Sequence, residues 1–205
     1  MLSRFAVTFS SQFGRKPARP RSFLSESALY EHAVKALGRR MRTESELRRL
    51  LAPRAEPSPD GQAAINAVLV RLKQNGYLND RSYAETYARL RQENEKFGRR
   101  RVQQDLKQKG LSTRLIDETL DARYANTSEE ALARQFLDRK RLRQPANEKE
   151  TARIMRRLVA AGFSTTVIYK ILRQWDVPDE SLAALENLAE NLADNLTGDS
   201  TSRDS

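Results

Sequence analysis

Arg99, Arg100, Arg101, Lys107 and Lys109 crowd one short stretch, and Arg139, Lys140, Arg141 and Arg143 form a run further on. Arg153, Arg156 and Arg157 make a third group. Guanidinium and ammonium groups bind phosphate oxygens, and binding releases condensed counterions. On a helix, Arg100 and Lys107 share a face away from Val102 and Leu106. Arg153, Arg156 and Arg157 likewise lie away from Ile154 and Leu158. Repeated in successive units, such faces would form a basic stripe along one side. The expected partner- and DNA-binding residues are Arg99, Arg100, Lys107, Lys109, Arg139, Lys140, Arg141, Arg153, Arg156 and Arg157. Solvated helix surface paired with local acids is the bland alternative. Charge argues against it: the chain is +10, and residues 1–175 hold 36 bases against 19 acids.

Catalytic chemistry has little to work with. The chain has no cysteine, and His32 is its one histidine. That excludes thiolate nucleophiles, cysteine-ligated zinc and a His-based triad. Asp117/Glu118 and Glu129/Glu130 are adjacent pairs, which point apart on a helix. Acids in a first turn suit the helix dipole. No Walker-type glycine loop or dinucleotide fingerprint is present. The expectation is a non-enzyme without cofactor or metal, with His32 a partly exposed helix residue. Tyr77, Tyr83, Tyr87, Phe97, Tyr124, Phe136, Phe163 and Tyr169 fall mostly at core spacing, so packing is preferred to base stacking. Trp175 is expected to seal the array.

The elements that must carry the bases are helices. Thr43 and Glu46 have capping-box spacing before Leu47, Leu50 and Leu51. Asp60 is expected to cap the helix bearing Ile65, Val68, Leu69 and Leu72, ended by Gly76. Asn79 or Asp80 opens a helix with Tyr83, Tyr87 and Leu90 on one stripe, broken at Gly98. Ser128, or Thr127 with Glu130, opens another.

Shifting the sequence by 52 residues superposes Arg101, Val102, Leu106 and Gly110 on Arg153, Ile154, Leu158 and Gly162. Ser112, Ile116 and Leu120 then fall on Ser164, Ile168 and Leu172. Each block reads as helix, glycine turn, serine-capped helix. With a third helix in front of each pair, the fold class is all-α. Three tandem three-helix repeats, 25–77, 78–125 and 126–176, would form an elongated, curved array. Residues 1–24 read as a disordered basic arm, although an Arg- and Ser-rich, acid-poor segment also suits a transit peptide. Residues 176–205 hold eight acids and one base, and 177–205 read as an acidic amphipathic helix with a disordered end. That helix is expected to dock on the basic face. No apolar run approaches the roughly 20 residues that span a bilayer, and the lack of cysteine fits a reducing, cytoplasmic compartment.

The stretch Gly76-Tyr77-Leu78-Asn79-Asp80-Arg81-Ser82-Tyr83-Ala84 resembles the Gly-Tyr-Leu-Asp-Asp-x-x-Phe-Ala segment of the RecX family of recombinase regulators. Arg89 and Arg91 follow in its helix. Gly98-Arg99-Arg100-Arg101-Val102 through Leu106 to Lys109-Gly110-Leu111 is similar to that family's Gly-Pro-x-Arg-Ile, Leu, Lys-Gly-Ile pattern. Asn79, Tyr83 and Arg99 depart from the Asp, Phe and Pro common there. The resemblance spans roughly residues 27–175. It implies three three-helix repeats, a DNA repair and recombination setting, and binding as a monomer to the RecA filament on single-stranded DNA. Inhibition of ATP hydrolysis and strand exchange is implied with it. The residues alone also admit a direct DNA-binding protein of helix-turn-helix type, or a helical scaffold.

Overall fold

The computed structural model describes residues 23–178, so most of the basic arm and the acidic segment beyond Pro178 lie outside it. Among the described residues there are nine α-helices, a 3-10 turn and no strand. The first three are α1 (Glu26–Leu37), α2 (Glu44–Leu51) and α3 (Pro59–Gln74), with the 3-10 turn Ala52–Arg54 after α2. Next come α4 (Asp80–Glu95), α5 (Arg99–Gln108) and α6 (Thr113–Tyr124). The last are α7 (Glu129–Arg139), α8 (Glu148–Ala160) and α9 (Thr165–Arg173).

Each triplet closes on its own core. Leu29, Leu47, Leu51, Ile65 and Leu72 centre the first; Tyr83, Val102, Leu106, Ile116 and Leu120 the second; Leu137, Ile154, Leu158, Phe163 and Leu172 the third. Phe97 and Tyr124 pack against both the second and third cores. Phe97 lies 6.4 Å from Phe136, whose ring meets Phe163 edge-on at 5.8 Å. Small three-helix units are marginal alone, and shared aromatics of this kind couple neighbours.

Local signals set most helix starts. Thr43 and Glu46 form the reciprocal capping box, and Asn79, Ser112 and Ser164 each accept from a first-turn N–H. Three expectations need correction, and the choice between Ser128 and Thr127 is decided. Ser58, not Asp60, caps α3, because Pro59 takes the first helical position and Asp60 falls inside the turn. Ser128 caps α7, while the Thr127 hydroxyl accepts from Gln92 Nε2 at 2.9 Å. Lys96, in the left-handed region at φ 58°, ends α4, and Gly98 is instead the N-cap of α5. Leu90 and Tyr77 stand in solvent, not in the core.

The second helices of the three units join end to end. Lys109 is the C-cap of α5, and its carbonyl accepts from the hydroxyl of Thr43, the N-cap of α2, at 2.7 Å. At the equivalent place one unit later, the carbonyl of Ala161, the C-cap of α8, accepts from the N–H of Gly98 at 2.9 Å. Negative and positive ends of successive helix dipoles therefore meet along one column, α8 to α5 to α2. The turn glycines Gly110 and Gly162 sit at φ 79° and 88°. A Cβ there would collide with Ser45 or with the Arg101 backbone nitrogen, so glycine is demanded by both conformation and approach. Asp80 braces the first joint: its carboxylate accepts the Glu44 N–H at 2.9 Å.

Candidate nucleic-acid interface

The column carries the bases the sequence singled out, but in two different states. α5 opens with three arginines, against the helix dipole, where α2, α7 and α8 open with acids. Arg99 is turned to α6, 2.6 Å from Asp121. Arg101 Nε lies 3.1 Å from Asp105 Oδ1, too bent for a hydrogen bond, so that link is Coulombic. Arg100 and Lys107 are exposed and have no ion-pair partner among the described residues. On α8, Arg153, Arg156 and Arg157 are exposed in the same way. Exposed bases thus follow one another along the column in the order Arg153, Arg156, Arg157, Arg100, Lys107.

Of the other predicted bases, Lys109, Arg139 and Lys140 have structural work. Lys109 reaches back to Glu46 at 3.0 Å and fixes the joint between the first and second units. Arg139 and Lys140 share Glu95, at 3.8 and 3.6 Å, across the second joint. Those contacts are solvated and worth little individually. Arg141 is exposed at φ 52°, beyond the end of α7.

One network escaped sequence reasoning. The Tyr87 hydroxyl donates to Asp105 Oδ2 at 3.0 Å, and burial pushes that phenol up. Arg91 lies over the Tyr87 ring at 4.9 Å and 3.9 Å from Asp105. Arg101 lies over Phe97 at 5.7 Å. Asp105, 8% exposed, is therefore enclosed by two guanidiniums and a phenol, locking α4 to α5. The signal was present: Asp105 stands three residues after Val102 and next to Leu106, an acid on the buried stripe of α5. Elsewhere, burial and the charges of Arg54, Arg39, Lys35 and Arg42 lower the pKa of His32. No cluster of His, Asp and Glu that could hold a metal occurs among the described residues, and no helix there is long and apolar enough to cross a membrane.

The family model for the second three-helix domain of RecX matches residues 79–120, which is the α4–α6 unit. Regulatory protein RecX of Leptothrix cholodnii is 35% identical over 149 residues, covering 73% of this chain and 90% of that protein. The chain belongs to the RecX family. The RecX of Deinococcus radiodurans is 34% identical over 163 residues, covering 78% of this chain and 74% of its own. The crystal structure of RecX from Lactobacillus salivarius shares the fold, with a TM-score of 0.55 at 22% identity over 74% of this chain and 96% of that one. This RecX-family chain is thus a regulatory protein by kinship.

Proposed function

We propose that the chain acts in the cytoplasm as a monomer that binds the RecA filament on single-stranded DNA and mainly inhibits its ATP hydrolysis and strand exchange. The observation that carries this reading is the helix column with its row of exposed, unpaired bases, set on a chain of RecX kinship. Units joined in line present contacts at intervals. A repeating filament offers matching sites at intervals, and weak contacts sum through effective concentration.

Arg153, Arg156, Arg157, Arg100 and Lys107 meet phosphates, and Arg141 extends the set. Five neutralised phosphates on a single strand correspond to a log–log salt slope of about −3.5. Titration into RecA on single-stranded DNA tests the reading: a substoichiometric fall in ATPase rate is expected. Simultaneous charge reversal at Arg100, Lys107, Arg153 and Arg157 should abolish that fall and flatten the salt slope. Unchanged inhibition would remove the row from the mechanism. Tight binding to duplex DNA without recombinase would favour a direct DNA-binding protein instead.

A further inference from the structure

The row of free bases does not continue into the first unit. On α2, Arg48 is held by Glu44 and Asn66, and Arg49 folds onto the Ser45 carbonyl. The first unit offers a different surface. A groove of roughly 350 Å³ opens where it meets α4, lined by Val34, Leu37, Met41, Tyr77, Arg42 and Asn79. Met41 is 48% and Tyr77 55% exposed, the two largest side chains of that lining left in water. The neighbours of Tyr77 all have structural tasks. Leu78 is buried in the first core, Asn79 caps α4, and Asp80 braces α2. Its backbone N–H bonds the Leu72 carbonyl, but its ring stands free of such a task.

The charge of this corner is positive. Arg42 Nε is buried without an acceptor. Arg39 and Arg40 are exposed in the same short loop that brings Met41 and Arg42 to the groove. Of the acids on the same elements, Glu46 is held by Lys109 and Arg40, while Glu85, one turn along α4 from Ser82, is exposed, so the three arginines of the loop leave the corner cationic. An apolar lining with a cationic rim fits a protein segment that presents a large apolar side chain flanked by carboxylates. It fits a phosphate backbone poorly, because the cations sit at one corner instead of in a row.

We infer that this groove docks such a segment of the recombinase, so that the first unit reads the protein of the filament while the second and third read its nucleic acid. The inference rests on the filament-binding function proposed above.

The test compares Met41→Asp/Tyr77→Asp with Arg153→Glu/Arg156→Glu/Arg157→Glu, on naked oligo(dT) and on the RecA–single-stranded DNA filament. Both groove residues are half exposed, so helicity and thermal midpoint should stay as in the parent chain. The groove variant should bind oligo(dT) unchanged and lose about tenfold or more on the filament, the loss typical of a removed anchor. The α8 variant should lose oligo(dT) binding. Because the chain has no cysteine, Met41→Cys and Val70→Cys each give a single labelling site for an environment-sensitive dye. The dye at 41 should shift to the blue with filament and not with oligo(dT), while that at 70 stays unchanged. Parental filament binding by the groove variant overturns the inference. So does an equal loss on oligo(dT), or a blue shift at 41 with oligo(dT) alone, either of which makes the groove a nucleic-acid surface. Failure of the parent chain to bind the filament at all would instead overturn the proposed function.

Discussion

Glu46 shows how much one side chain can hold. Its carboxylate is 11% exposed, closes the α2 capping box and pairs with Lys109 from the next unit. Burial alone would raise its pKa. Lys109, Arg40 and the Thr43 N–H outweigh that and hold it below the ordinary 4.5. A carboxylate depressed in the folded state contributes stability that is full above the unfolded value and lost as pH falls through the folded one. Glu46→Gln should therefore flatten the loss of stability below pH 4.5 in acid unfolding. At neutral pH it should cost about 1–2 kcal/mol, between the ranges for exposed and buried pairs. Two glycines offer a second comparison. Gly76 has φ 72° with nothing near its would-be Cβ, whereas a Cβ on Gly162 meets the Arg101 backbone. Gly76→Ala should cost about 1 kcal/mol of conformational strain alone, and Gly162→Ala distinctly more, by urea unfolding.

At the scale of the helix, Thr43 has two tasks: it accepts the Glu46 N–H and donates to the Lys109 carbonyl. Thr43→Ala should cost about 1–2 kcal/mol, the upper part of the range for a lost cap, because an interunit bond goes with it. Thr43→Ser should restore most of it in the same denaturant titration. Such elements were legible in the sequence because their causes are local. The 52-residue repeat, the glycine turns and the serine caps depend on residues within one turn of each other. What escaped was either a local choice between neighbouring residues or a contact distant in sequence. Ser58 and Asp60 are equally good caps until Pro59 is seen to occupy the first helical position. Lys109 looks like one more base of a stripe, yet its partner Glu46 lies 63 residues away. Tyr77 carries a core residue's chemistry but sits just past the end of α3, where no helical face governs it.

For the molecule as a whole, stability should be a sum of unit and joint terms, as in other linear repeats. Gly162→Ala breaks the joint of the second and third units and should speed amide exchange in α8 and α9 more than in α1 and α3. Equal loss of protection everywhere would mean that the array unfolds as one body. The same joint has a consequence for length. The middle unit carries both halves of it: an α5 N-cap, Gly98, that receives a turn, and a turn, Lys109–Gly110, that is received. A tandem duplication of residues 78–125 would let the Gly98 N–H of one copy find the Lys109 carbonyl of the next. Arg100 and Lys107 would be repeated with it. The molecule is in this sense a ruler that can be extended by whole divisions, its length set by how many middle units it contains.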